Sequence, residues 1–314
     1  MRDFVKARSN DIWANGYSGI KRTAHDIWKH GLKQASDLVR AEYGTPIYDR
    51  DWGVLLILDA CRPDAIRAVA QEYDFISSVD TELSVGSNSP EWMAKNFTDE
   101  YALEMNETIH ITGNPFSADK LDPNDFSALD EVWRYEWDDS RLQTVRAESI
   151  TDRIIDTARN QSPEYLIGHY MQPHASFVPH PDLTEYTDDY ERSIWRATMR
   201  GRVETEQVWE AYLDNLRYVL DEVETVLNNI DEEKVVLSAD HGECMGEWGL
   251  YGHGGPAIST LREVPWVETK ASDSGEYTPE VTNDKVDLSV DDRLESLGYI
   301  EQSRGEKSDG NGVS

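Results

Sequence analysis

Apolar residues in this chain gather in short uninterrupted runs rather than alternating with polar ones. Trp52-Gly53-Val54-Leu55-Leu56-Ile57-Leu58-Asp59 is one such run, and Val235-Val236-Leu237-Ser238-Ala239-Asp240-His241 is another. A strand covered on both faces reads this way, because neither face needs polar positions. Thr108-Ile109-His110-Ile111-Thr112-Gly113-Asn114-Pro115 looks like another strand running into a loop, and Tyr165-Leu166-Ile167-Gly168-His169-Tyr170-Met171-Gln172-Pro173-His174 repeats that arrangement. Between these runs the period changes. Asp64 to Tyr73 reads as a helix, and from about Val203 to Asn229 a stripe passes through Val208, Tyr212, Leu216, Val219, Val223 and Leu227. Steps of four and three mark one face of a helix. In Ser87-Asn88-Ser89-Pro90 a proline stands where a further helix would begin. Alternating strand and helix patterns predict an α/β fold with a central, mostly parallel β-sheet flanked by helices.

The two ends differ from this middle. Trp13, Tyr17, Ile20, Ala24, Ile27 and Gly31 trace a helical stripe, and residues 1–40 hold eight Lys/Arg against four Asp/Glu. Residues 1–48 therefore read as a basic amphipathic helical segment, suited either to peripheral contact with a membrane surface or to packing on its own domain. Residues 49–268 form the predicted catalytic domain. Residues 269–314 form an acidic tail, in which Ser289 could cap a short helix running to Gly298.

Charge narrows the classes of partner. With 61 Asp/Glu against 30 Lys/Arg, the net charge is −31. Such a surface repels nucleic acid and anionic membranes and keeps a protein in solution, as a high-salt cytoplasm demands. Two cysteines, Cys61 and Cys244, are too few for a disulfide framework. No run resembles a signal peptide or a membrane span, so a cytoplasmic protein is expected, with membrane association open through residues 1–40. Nothing in the composition addresses oligomeric state.

Several predicted strands end in polar or ligand-type side chains: Asp59, Asn114, His169 with His174, and Asp240 with His241. If they share one sheet, their ends converge at its carboxyl edge. Carboxylates with imidazoles suit one or two divalent ions such as Mg²⁺, Mn²⁺, Zn²⁺ or Ca²⁺. In so acidic a chain an anionic substrate group needs a cation to hold it. Asp59 and Asp240 roughly neutralise one such ion, so a second ion, Arg62 or cationic histidines would add the attraction.

The run Leu55 to Asp59, Gln172-Pro173-His174, and Ala239-Asp240-His241-Gly242-Glu243 with Gly252-His253-Gly254 resemble the alkaline phosphatase superfamily, nearest its sulfatase-like branch. The tail Arg293-Leu294-Glu295-Ser296-Leu297-Gly298-Tyr299-Ile300 is similar to a C-terminal signature of many sulfatase-like proteins. The resemblance implies an alkaline-phosphatase-like sandwich and a metal-dependent hydrolase or transferase of sulfate or phosphate esters. It implies Asp59, Asp240 and His241 as metal ligands, and His174 as a substrate or metal contact. His253 matches a metal-binding histidine of phosphatase-like members, where sulfatases often carry a lysine. Arg62 and Asn114 join His174 as candidate substrate contacts. In the nucleophile slot stands Asn88, flanked by Ser87 and Ser89. Ser89 ranks first and Ser87 second; the alternative makes Asn88 a ligand, with a water attacking or with no catalysis. Cys61-Arg62-Pro63 imitates the start of a formylglycine motif, but Ala65 stands where that motif needs Arg. A phosphodiesterase, a phospho-headgroup transferase of surface-glycan assembly, and a silent protein that binds anionic glycan or lipid headgroups are the competing readings.

Overall fold

The computed structural model describes residues 44–138, 142–186, 193–253 and 258–281. The helices expected near residues 13–31 and 289–298 lie outside the described residues.

Seven strands form the main sheet: β1 (Val54–Leu58), β2 (Asp80–Leu83), β3 (Thr108–Thr112), β4 (Ala128–Glu131), β7 (Tyr165–Tyr170), β8 (Glu232–Ser238) and β11 (Glu263–Ala271). Their order is β2-β11-β8-β1-β7-β3-β4. The five strands from β8 to β4 are parallel, and β11 runs antiparallel to both β8 and β2. Two small hairpins sit outside this sheet. One pairs β5 (Trp137–Asp138) with β6 (Thr144–Val145), the other β9 (Cys244–Met245) with β10 (Tyr251–Gly252).

Side chains of β1 alternate between two cores. Leu56 and Leu58 join a cluster with α1 (Pro63–Val69), α3 (Ala147–Gln161) and α4 (Thr205–Leu227), through Ile66, Ile150, Ile154, Tyr212, Leu216 and Val219. Leu55 and Ile57 face the other way, toward Trp92 and Met93 of α2 (Ser89–Asn96). All five residues of β1 are buried, as a strand covered on both faces requires. Each such Leu or Ile contributes roughly 1.5–3 kcal/mol by leaving water.

Register decides where the polar strand ends emerge. Ile57 lies opposite both Ser238 and His169. Two residues further along, Asp59 and Asp240 therefore leave neighbouring strands side by side. Thr112 also lies opposite His169, so Asn114 leaves β3 at a matching level. The sheet itself runs on to Ala271, past the expected domain edge at 268. Beyond it, Ser272 N–H bonds Leu227 O, and Arg159 of α3 holds Asp273 at 2.7 Å.

Candidate metal and nucleophile site

Asp59, Asp240 and His241 are fully buried and bring ligand atoms within 4.8 Å of one another. Ala60, directly after Asp59 and in the left-handed conformation at φ 60°, donates its N–H to Asp240 Oδ1 at 3.0 Å. His241 N–H reaches the same oxygen at 2.9 Å. The other oxygen, Asp240 Oδ2, and Asp59 Oδ1 accept no hydrogen bond from any described residue. Asp59 Oδ2 takes the Asn114 amide at 2.8 Å. His241 Nδ1 donates to Gly242 O at 2.7 Å, which leaves Nε2 with its lone pair turned to the carboxylates, 3.7 Å from Asp59 Oδ1 and 3.5 Å from Asp240 Oδ2. Gly242 permits this turn because a Cβ there would meet Thr260 O at 2.1 Å.

The electrostatics favour a cation among these groups. Burial, reinforced by the charge of Asp240, pushes Asp59 well above the ordinary carboxylate range. Burial opposes ionisation of Asp240 as well, but His241, His169 and the Ala60 N–H outweigh it and hold Asp240 low. Two buried carboxylates this close resist ionising together unless a cation lies between them. Two buried carboxylates with bare oxygens, beside an imidazole locked in the ligating tautomer, fit a divalent ion.

A second cluster lies against the first. His174, Glu243 and His253 also bring ligand atoms within 4.8 Å. His253 Nδ1 is 3.1 Å from Glu243 Oε2, and its ring centre is 4.7 Å from that of His241. Burial pushes Glu243 up to about 7, against the pull of His174, His241 and Arg62. Burial, with His253 adding to it, lowers His174 to about 3, so its ring stays neutral near neutral pH.

The three candidates of the nucleophile slot separate at the start of α2. Asn88 is the N-cap, its side chain accepting from Glu91 N at 3.0 Å. Ser87 Oγ donates to Glu91 Oε2 at 2.8 Å. Ser89, fully buried, instead points its hydroxyl to Asp59 Oδ2 at 3.4 Å and His241 Nε2 at 3.5 Å. Asn114 sits on Asp59, while its own carbonyl accepts Phe116 N. Arg62 belongs to neither cluster. Its guanidinium grips Asp64 through two bonds, Glu247 at 2.6 Å and Glu243 O at 3.0 Å, and lies over Trp209. Cys61 and Cys244 are both buried free thiols.

The family model described as Sulfatase matches residues 88–264, more than half of the chain. This protein belongs to the sulfatase family. The match takes in Ser89, His174, Asp240, His241 and His253, and begins after Asp59. No match is found among curated proteins. Among solved structures, this sulfatase-family chain resembles the soluble domain of lipooligosaccharide phosphoethanolamine transferase A from Neisseria meningitidis. That comparison has a TM-score of 0.50 and 16% identity, and covers 74% of this chain and 80% of the other. The integral membrane form of the same enzyme superimposes with a TM-score of 0.51 at 14% identity, over 88% of this chain and 59% of its own length. At these identities the likeness is one of fold: the alkaline-phosphatase-like α/β sandwich. Among the described residues no helix is long and apolar enough to cross a membrane.

One residue of the site, Glu243, carries no role in the sequence reading. Glu243 lies within the Asp-His-Gly-Glu run, and only the hairpin that returns His253 shows what it faces. His169, one of the strand-end residues of the sequence reading, has its Nε2 3.8 Å from both Asp59 Oδ2 and Asp240 Oδ2, and neither ring nitrogen has a hydrogen-bond partner among the described residues. Its signal is a lone imidazole in an otherwise apolar strand. Burial lowers it to about 4.

Proposed function

We propose that this protein is a metal-dependent enzyme that cleaves or transfers a phosphate or sulfate ester, with Ser89 as nucleophile. The observation that carries this reading is the Ser89 hydroxyl, at the first position of α2 and beside Asp59 and His241. Asp59, Asp240 and His241 would hold one divalent ion, which when bound would lower the pKa of a serine hydroxyl and draw charge from an ester oxygen. His174, Glu243 and His253 would hold a second ion or bind the nonbridging oxygens directly. Asn114 would fix the rotamer of Asp59, and Arg62 would brace the loop that carries Glu243. The N-terminus of α2 adds a favourable field for negative charge developing at Ser89.

Between the two esters, phosphate is the better fit to a serine. The position two residues before Pro90 is Asn88, neither the cysteine nor the serine from which a formylglycine is made. A phosphoserine can pass its phosphoryl group on to water or to an alcohol, with attack at phosphorus and release of the serine oxygen.

The test is an assay in high salt with Mn²⁺, Mg²⁺, Zn²⁺ or Ca²⁺ on aryl phosphate, aryl phosphodiester and aryl sulfate. Metal-dependent turnover that disappears in Ser89→Ala and Asp240→Ala is the expected result. Turnover indifferent to Asp240→Ala would remove the proposed site. Absence of turnover on all three would favour a silent binder of anionic headgroups.

A further inference from the structure

The hairpin β9–β10 rises from the second cluster, since Glu243 precedes its first strand and His253 follows its last. Its tip is Trp248, which is 75% exposed and held at φ 56°, ψ 21°. A left-handed conformation is strained for a bulky side chain, and an exposed indole gains no burial to offset the strain. The turn is nevertheless tightly braced. Glu247 caps Met245 N and takes Arg62, and further bonds run from Gly246 N to Leu250 O and from Leu250 N to Glu247 O. Trp248 stands five positions from Glu243 and five from His253. A chain advancing at most about 3.6 Å per residue keeps it within roughly 18 Å of both.

We propose that Trp248 is a specificity-determining residue, an aromatic platform on which a saccharide portion of the substrate stacks while its ester group lies at the buried clusters. A flat indole offers an apolar π face, and the C–H face of a neutral sugar ring matches it. A lipid surface fits less well. The other exposed large hydrophobics among the described residues, Leu83 and Leu103, lie outside this hairpin. The neighbouring Glu247 and the net charge of −31 disfavour anionic headgroups. The placement of the ester rests on the function proposed above; the stacking contact does not.

The contact is read first without chemistry. In the full-length protein the Trp248 indole N–H resonance, assigned by its loss in Trp248→Phe, is followed while maltotriose, chitotriose or mannotriose is added to roughly tens of millimolar, the range of weak sugar contacts. A saturable shift with at least one of them is expected. No shift with any, or a shift with phosphatidylglycerol vesicles alone, overturns the platform. The second readout is the KM for glucose 6-phosphate and glucosamine 6-sulfate relative to that for ethanolamine phosphate. Trp248→Ala should raise this ratio about fivefold to tenfold, with Trp248→Phe recovering most of the difference. An equal change for sugar and non-sugar esters counts against the proposal. If none of these esters is turned over, the aryl-ester assay above decides the ester-cleaving reading, and the indole titration decides the platform.

Discussion

Asn88 and Ser89 are adjacent in sequence but have different jobs in the structure. The Asn88 side chain caps α2, whereas the Ser89 hydroxyl faces Asp59 and His241. Asn88→Ala should therefore cost about 1 kcal/mol of stability in urea unfolding, with turnover reduced far less than in Ser89→Ala. Ser89→Ala should lower kcat by at least about a thousandfold, as loss of a covalent nucleophile does. The reverse pattern would make Asn88 the functional residue. Asn114 makes a separate prediction through its bond to Asp59. Asn114→Ala should weaken divalent-ion binding about tenfold to a hundredfold in titration calorimetry, the usual effect of removing a partner of a ligating carboxylate.

Helix α2 carries Ser89, the proposed nucleophile, so what holds its first turn matters to the site. Glu91 accepts Ser87 N–H at 3.0 Å and Ser87 Oγ at 2.8 Å, and pairs with Lys95 at 2.7 Å. Burial alone would raise its pKa, but Lys95 and the two bonds from Ser87 together outweigh burial and lower it. A carboxylate lowered in the fold adds stability that is complete above its unfolded value, near 4.5, and is lost as pH falls through the lower folded value. Glu91→Gln should thus lower the Tm at pH 7, and the gap from the parent should close as melting is repeated toward pH 3. A gap that persists unchanged at pH 3 would mean that packing, not charge, holds this turn. The flanking helices differ in how plainly hydropathy announces them. Buried Val208, Tyr212, Leu216, Val219 and Val223 make α4 an apolar stripe, whereas the buried side of α3 includes Thr151, Asp152 and Thr157. Strands β2 and β4 have no fully buried residue, so they lack the apolar run that marks β1.

At the scale of the molecule, a net charge of −31 and two buried carboxylates predict a stability that responds to cations in two distinct ways. Monovalent salt should raise the Tm gradually by screening surface repulsion. A divalent ion at constant ionic strength should raise it further, by about 2.7 kcal/mol of stability at a hundredfold excess over its Kd. Asp59→Asn together with Asp240→Asn should abolish the second effect and keep the first. Calorimetric scans with and without chelator separate the two, and an identical response in the double variant would place the bound ion elsewhere.

The sequence alone determined the parts of this protein that depend on local pattern. Uniform apolar runs mark strands covered on both faces, and the polar residues ending them, Asp59, Asn114, His174 and Asp240-His241, converge because parallel strands share a carboxyl edge. Only the tertiary structure decided which atoms face one another. Strand register sets Asp59 level with Asp240, the Ala60 N–H meets Asp240 Oδ1, and the first turn of α2 directs Asn88 and Ser87 to the helix while leaving Ser89 beside Asp59 and His241. Glu243, His253 and Trp248 owe their arrangement to a hairpin two residue pairs long. Hydropathy cannot report such contacts, because they depend on side-chain direction and on chain segments far apart in sequence.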